Sequence, residues 1–280
     1  MKIKDIIVIL TDPRGSENRI SVATALAQRA GAHVIGLYLI PTISLSEVGL
    51  PYAGTETEIR ALEEIEEARR AAAHRTAGEV ERALAKAAGL AGLVHEWRVI
   101  EGDVAATAAL HARHCDIAVV GQTDPDHPTA TPHLPEAVLL GSGRPVLIVP
   151  YAGHFESVGK NVLVAWNASR EAARAVNDAM AILQSAEQVR VFSVNPEGQR
   201  PWPGADIALH MARHGAKAET TSSVSHDIDA GNVILSRASD FGSDLIVMGG
   251  YGHSRQREFI LGGVTRTMLQ HMTVPVLMSH

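Results

Sequence analysis

A doubly wound α/β fold, present twice in one chain, is predicted by three observations. Short Val- and Ile-rich runs are almost wholly apolar, as strands of a parallel sheet covered on both faces must be. Helical patterns alternate with these runs, which places crossover helices between parallel strands. The whole pattern then repeats. "DIIVILTDPRGSENRISVATALAQRAGAHVIGLYLIP" from residue 5 matches "NVLVAWNASREAARAVNDAMAILQSAEQVRVFSVNP" from residue 161, "CDIAVVG" (115–121) matches "SDLIVMG" (243–249), and "RPVLIVP" (144–150) matches "VPVLMSH" (274–280).

Taken in order, strands are expected at 5–10, 33–39, 94–99, 116–120 and 145–149, and again at 161–165, 189–194, 218–223, 244–248 and 274–278. In the second copy Val176, Met180 and Leu183 recur at helical spacing and give one apolar stripe able to cover a sheet. The longest helical candidate runs from Glu56 to about Ala88, with Ile59, Leu62 and Ile65 on one side. Its "EEIEEARR" run reads as a solvated face with charge pairs near i,i+4. The expected division is a first domain at 1–150, a linker "YAGHFESVGK" at 151–160, and a second domain at 161–280.

Composition narrows the function classes. The 280 residues are 46% hydrophobic and 20% charged, which is globular composition with ample material for two cores. A net charge of -6 gives no electrostatic footprint for nucleic acid or an anionic membrane surface, and neither is expected as a partner. The one cysteine, Cys115, excludes an intrachain disulfide and a thiolate zinc cluster. The apolar run that begins at Ile6 is cut by Asp12, too short for a signal-peptide core or a spanning helix. A cytoplasmic protein is expected.

The chemistry concentrates near the carboxyl end. "GGYGHSRQREFILGGVTRTML" (249–269) follows a predicted strand directly, and in an open parallel sheet ligands bind beyond the carboxyl ends of strands. Gly249 and Gly252 permit a turn with positive φ and close approach of backbone N–H groups to an anion. Gly262 and Gly263 precede a helix opening near Val264 and Thr265, whose unpaired N–H groups and partial positive charge suit a phosphate. The stretch has neither G-x-x-x-x-G-K-[ST] nor G-x-G-x-x-G, since Arg255 stands where the third glycine belongs. On the glycines alone, turn shaping and phosphate binding are equal readings. His253, Arg255 and Arg257 lie in the same loop, where an electrostatic role toward phosphate and simple solvent exposure both fit.

The spacing G-x2-G-x9-G, filled by Gly249, Gly252 and Gly262 and followed by "GVT", resembles the ATP-binding signature of the universal stress protein family. The resemblance covers both halves, so the chain is similar to tandem members of that family. It implies two Rossmann-like domains of the adenine nucleotide alpha hydrolase type, each a five-stranded parallel sheet with helices on both faces. It also implies that "RPVLIVP" and "VPVLMSH" pair within the chain as a pseudo-dimer, with homodimerisation of whole chains left open. Carried over residue by residue, it assigns Gly249, Gly252, Gly262, Gly263 and Thr265 to ribose and phosphates, with His253 and Val264 beside them. Gly263 replaces the family's usual serine, and Asn167, preceded by Trp166, replaces the family's aspartate near the base. Val194 matches a position lining the base pocket. The implied ligand is ATP, ADP or AMP, with Mg as a candidate accompanying ion.

The first half departs further from this pattern. Its loop "GQTDPDHPTATPHLPEAVLL" keeps Gly121 but places Asp124 where Gly252 stands, and its prolines supply no N–H donor. Asp12 survives at the first-strand position, but the cradle does not, so a single phosphate-competent site is expected. His210 and His214 share a helix face without a third ligand, and "HARHCD" (111–116) reads as a core cysteine beside helix-terminal histidines. The "DFG" at 240–242 has no accompanying H-R-D loop, and no G-x-S-x-G elbow occurs. No catalytic or metal-binding residues are therefore nominated. The expected role is a nucleotide-responsive regulatory or protective protein acting on an unidentified protein partner. Two alternatives stand beside it: a slow ATPase or nucleotidyl-transferring enzyme of the same fold, and a ligand-free dimerisation module.

Overall fold

The computed structural model describes residues 2–42, 56–127, 131, 133–155, 157–196, 204–225, 227–252 and 263–280. In the first half, β1 (Asp5–Leu10), α1 (Ser16–Ala30), β2 (His33–Pro41), α2 (Glu56–Ala91) and β3 (His95–Gly102) are followed by α3 (Val104–Ala112), β4 (Ile117–Gly121), α4 (Leu134–Ser142) and β5 (Val146–Val149). The second half runs β6 (Asn161–Ala165), α5 (Arg170–Asp178), α6 (Met180–Ser185), β7 (Gln188–Val194), α7 (Ala205–Arg213), β8 (Ala218–Ser223), α8 (Ala230–Asp240), β9 (Leu245–Gly249), α9 (Gly263–His271) and β10 (Val276–Ser279). Each strand expected from the sequence is present within a few residues of its expected bounds.

All ten strands form one sheet in the order β3-β2-β1-β4-β5-β10-β9-β6-β7-β8. Pairing within each half is parallel, and the halves join by the antiparallel pair β5–β10, with Ile148 opposite Val276 and Val146 opposite Met278. The expected intrachain pseudo-dimer is therefore built from the two "PVL" strands. In each half the strand order reverses where the first strand meets the fourth, β1 with β4 and β6 with β9, and this opens a crevice at their carboxyl ends.

Strand alternation feeds two apolar layers, one on each face of the sheet. Ile6, Val8 and Leu10 of β1 and Leu245 and Val247 of β9 join one layer with α1, α2, α5 and α6. Ile7, Ile9, Ile246 and Met248 join the other with α3, α4, α8 and α9. Both layers run through both halves. β8, "AETTSS", is polar because it is an outer strand with only β7 beside it.

Two helices differ from expectation. Ile65 is 64% exposed, and α2 contacts the core through Ala77, Val80, Leu84 and Ala88 in its second half; the side chain of Ile59 lies outside the described residues. The apolar spacing near its start is real, but nothing described packs against Ile65. The expected helix carrying Val176, Met180 and Leu183 is divided at Ala179 into α5 and α6, although all three side chains remain buried.

Two aspartates tie strand starts together in a matching way. Asp116, just before β4, accepts from the amides of Lys4 and Asp5 at 2.6 and 3.1 Å. Asp244, just before β9, accepts from the amides of Gly159, Lys160 and Asn161 at 2.9–3.0 Å and from Ser157 Oγ at 2.8 Å. Charge-assisted bonds to backbone donors are the stronger kind. Asp244→Ala is therefore expected to destabilise by about 2 kcal/mol, read as a lower urea midpoint with an unchanged slope; an unshifted midpoint contradicts it.

Across the junction, Gln122, 7% exposed, donates from Nε2 to the Leu269 carbonyl of α9 at 2.9 Å and accepts from the Tyr151 amide at 3.2 Å. One buried side chain thus links the loop after β4 to the helix that opens the glycine-rich site of the other half. Among the described residues no helix is long and apolar enough to cross a membrane.

Candidate functional site

The nominated residues converge on one cavity. Trp166 and Asn167 at the end of β6, Val194 at the end of β7, Gly249 and Gly252 after β9, and Gly263, Val264 and Thr265 at the start of α9 all line it. His253 and Gly262, with Arg255 and Arg257, lie outside the described residues. Ala165, Phe192, Ile234 and Met248 form apolar wall, and Ser169 and Ala230 complete the lining. The volume is about 140 Å³. Pockets that swallow a whole ligand usually measure ~300–1,000 Å³, so this one has room for a ring system, with any charged tail lying in the open mouth between the glycines.

Backbone geometry shows why glycines stand there. Turning with positive φ was the role expected of Gly249 and Gly252, but neither adopts it; Tyr251 between them does, at φ 55°. The need at Gly249 is close approach. A Cβ there would lie 2.5 Å from the Ala172 nitrogen and 2.6 Å from the Glu171 carbonyl carbon, so β9 and α5 touch backbone to backbone. At Gly252 a Cβ would meet the Glu171 carboxylate at 3.1 Å. At Gly263 the nearest atom would be Asp229 Oδ1 at 3.9 Å, which leaves the first turn of α9 open.

Strain gathers around the same cavity. Among the described residues three non-glycine side chains have left-handed backbone: Ala168 (φ 60°), Asn195 (φ 47°) and Tyr251 (φ 55°). They follow β6, β7 and β9, the three strands whose ends line the cavity. Each such residue costs ~1–3 kcal/mol and persists where its surroundings over-determine it, commonly at ligand sites. Asn195 is held by its own amide, which donates to the Ser225 carbonyl and accepts from the Ser225 N–H at 2.6 and 2.7 Å. The Tyr251 amide donates to Thr265 Oγ1 at 3.2 Å, pinning the exit of β9 to the start of α9. Thr265 is 4% exposed, so this bond is sheltered from water.

Polar groups at the rim are sorted by these bonds. The Asn167 side-chain oxygen accepts from the Ser169 amide at 3.1 Å, so its NH2 donors are what it can offer a ligand. An aspartate there could only accept. Ser169 and Asp229 cap α5 and α8; Asp229 also accepts from the Thr267 hydroxyl at 3.0 Å. Both were legible as polar residues ahead of helical runs and escaped nomination. The Tyr251 hydroxyl is buried without a hydrogen-bond partner among the described residues, and burial, followed by the Glu136 charge of α4, raises its pKa.

With this geometry in view, comparison with known proteins is decisive. The Universal stress protein family matches residues 2–150 and again 159–280. The chain belongs to the universal stress protein family. Universal stress protein Slr1230 of Synechocystis is 26% identical over 169 residues, 58% of this chain, and that match spans 57% of the relative's own length. Among solved structures, a universal stress protein from Archaeoglobus fulgidus superposes with a TM-score of 0.72 at 17% identity, covering 98% of this chain and 97% of that one. A Pseudomonas aeruginosa protein of unknown function gives a TM-score of 0.57 at 15% identity, covering 99% and 92%. At these identities the structural likeness shows the fold, two domains of the family in one chain.

The two halves of this universal stress protein are not equivalent. A larger cavity, about 400 Å³, lies at the matching place in the first half. There α4 opens with Leu134 and Pro135, and its cap residue His133 makes no side-chain capping bond. Asp124 accepts from the Asp126 amide and pairs with His127 Nδ1 at 3.0 Å. Below it, Arg19 is 6% exposed and lies 3.2 Å from where a Gly121 Cβ would be. Burial lowers its pKa, opposed by the Asp12 charge.

Elsewhere, the His210 and His214 rings lie with centroids 4.6 Å apart, tilted by 56°, and no group of three or more metal-ligating side chains occurs among the described residues. Cys115 is 3% exposed, its thiol bonds the Ala112 carbonyl, and burial pushes its pKa to about 12. Because the thiolate is the reactive form, Cys115 is expected to resist a disulfide reagent such as DTNB at pH 8 until the chain is unfolded. Rapid stoichiometric labelling of the folded protein contradicts that.

Proposed function

We propose that this protein binds a single adenine nucleotide per chain in the second-half cavity and acts as a nucleotide-responsive regulatory protein. The observation that carries the reading is the meeting of Gly249, Gly252 and the open first turn of α9 at the mouth of a ring-sized apolar cavity. Unpaired N–H groups and the positive end of the helix dipole favour phosphate at Gly263, Val264 and Thr265. The base would lie between Trp166, Val194 and Ile234, with the Asn167 amide donors toward ring or ribose acceptors. Asp229 and Glu171 stand close to Gly263 and Gly252, so Mg accompanying the phosphates would offset repulsion there.

On this reading the chain divides near 151–160, the first half carrying no phosphate site, and the protein works in the cytoplasm with an unidentified protein partner that senses the loop after β9. Its action is binding, with no catalytic group assigned. Mass spectrometry of small molecules released from purified protein is expected to show an adenine nucleotide. Added ATP at 100 times its dissociation constant should stabilise the fold by ~2.7 kcal/mol. Absence of both sinks the reading in favour of a ligand-free module. Phosphate release at ~1 per second or faster favours the enzyme reading.

A further inference from the structure

We propose that His210 and His214 form a two-imidazole chelate for a divalent transition-metal ion of the nickel, copper and zinc series at the carboxyl end of α7. The inference stands on α7 and its supports alone and does not depend on what either cavity binds. α7 leaves the carboxyl end of β7 and leads into the start of β8, so its last turn lies at the amino ends of the strands, the opposite end of the sheet from the second-half cavity. A step of four residues along a helix sets two side chains on one face, one turn apart.

The sequence supplies that spacing, and the structure shows that the two rings meet. Their centroids are 4.6 Å apart and the rings are tilted by 56°, splayed rather than stacked face to face. An imidazole nitrogen binds zinc at ~2.0–2.1 Å, which puts each ring centre ~3.2 Å from the ion, and at a coordination angle of ~90–110° the two centres stand ~4.5–5.2 Å apart. The observed separation lies inside that range. The rings are also uncommitted. Neither makes a hydrogen bond or ion pair with a described residue, whereas His74, His127 and His133 each lie 2.7–3.4 Å from a carboxylate oxygen.

The backbone beneath the pair is already fixed. Met211, fully buried, anchors this turn in the core. The His214 amide donates to the carbonyls of His210 and Met211 at 3.3 and 3.0 Å, and the His214 carbonyl accepts from Gln184 Nε2 of α6 at 2.7 Å. Ligands held in place lose little freedom when the ion arrives. A helix carboxyl end carries partial negative charge, which favours a cation. Of the neighbouring charges, Asp206 attracts a cation and Arg213 and Lys217 repel it; all three are exposed, where solvent and salt screen them, so coordination decides the affinity. Imidazole suits nickel, copper and zinc, and with two protein ligands the remaining positions go to water. Calcium and magnesium, which take oxygen ligands, do not fit.

The test is calorimetric titration of Ni²⁺, Cu²⁺ and Zn²⁺, in a non-chelating buffer, into the untagged full-length protein and into its His210→Asn, His214→Asn and doubly substituted variants. The wild-type chain is expected to take up one ion at its tightest site, Cu²⁺ more tightly than Ni²⁺ or Zn²⁺. Each single substitution should weaken that site by ~10²-fold or more, because the second imidazole no longer acts within the same complex, and the double substitution should abolish it. The ion should also raise the urea midpoint of the wild-type chain and leave that of the variants in place. His210 is half-buried and His214 exposed, so urea unfolding without metal is expected to show the variants as stable as the wild type. The proposal is overturned if no ion binds saturably, if the tightest site survives both substitutions and so belongs to other histidines, or if one substitution removes it while the other changes nothing, which is binding by a single ring.

Discussion

Gly263→Glu is expected to weaken adenine nucleotide binding by roughly 10²–10³-fold while leaving the protein as stable as before. The site accepts the side chain, because the nearest atom to a Cβ at this position is Asp229 Oδ1 at 3.9 Å and the residue is exposed. A glutamate in the first helical turn also interacts favourably with the helix dipole, and this offsets its repulsion by the nearby Asp229 carboxylate. Phosphate seated on the same turn would meet that carboxylate at close range. Like charges ~4 Å apart at an effective dielectric near 20 repel by ~4 kcal/mol, and partial solvent exposure lowers this to about 3–4, which is the stated loss at 1.4 kcal/mol per tenfold. Calorimetric titration of ATP together with urea unfolding checks both halves of the expectation. Retained affinity would place the phosphates elsewhere.

Gly249→Ala has the opposite signature, a loss of stability. The added methyl would have to occupy space 2.5 Å from one backbone nitrogen of α5 and 2.6 Å from a backbone carbon. Backbone on both sides cannot yield as a flexible side chain can, so the strand and helix must separate, at ~3 kcal/mol or more. Gly252→Ala provides the control, because its close neighbour is the movable end of Glu171 at 3.1 Å. Chemical denaturation should show a large fall for the first variant and a small one for the second. Equal effects would mean that close packing of β9 on α5 does not explain Gly249.

Much of this was legible in the chain itself, for identifiable reasons. Strands buried on both faces, such as "DIIVIL" and "LIVMG", leave no room for polar residues, so their composition marks them. The repeat exposed the two-half organisation, and the family resemblance supplied the β5–β10 pairing that no local pattern encodes. Eight of the ten nominated residues line one cavity because they occupy strand ends and a helix start, features with local sequence signals. What escaped notice lacked such signals. Glycine serves both positive φ and close approach, and spacing alone does not say which; the structure gives the first role to Tyr251 and the second to Gly249. Arg19 was not singled out in the sequence, yet it is 6% exposed and bonded to the carbonyl of Arg14 in the loop before α1. Ile65 sits at helical spacing that normally marks a core face, but the chain that would decide its neighbours is distant in sequence.

The central claim is that main-chain donors at the start of α9, unbroken there but interrupted by Pro135 in the matching helix α4, create a single phosphate-binding place per chain. Calorimetric titration of ATP into the wild-type protein tests it most directly. The predicted result is one ATP bound per chain, lost in Gly263→Glu; a stoichiometry of two, or no binding at all, would contradict it.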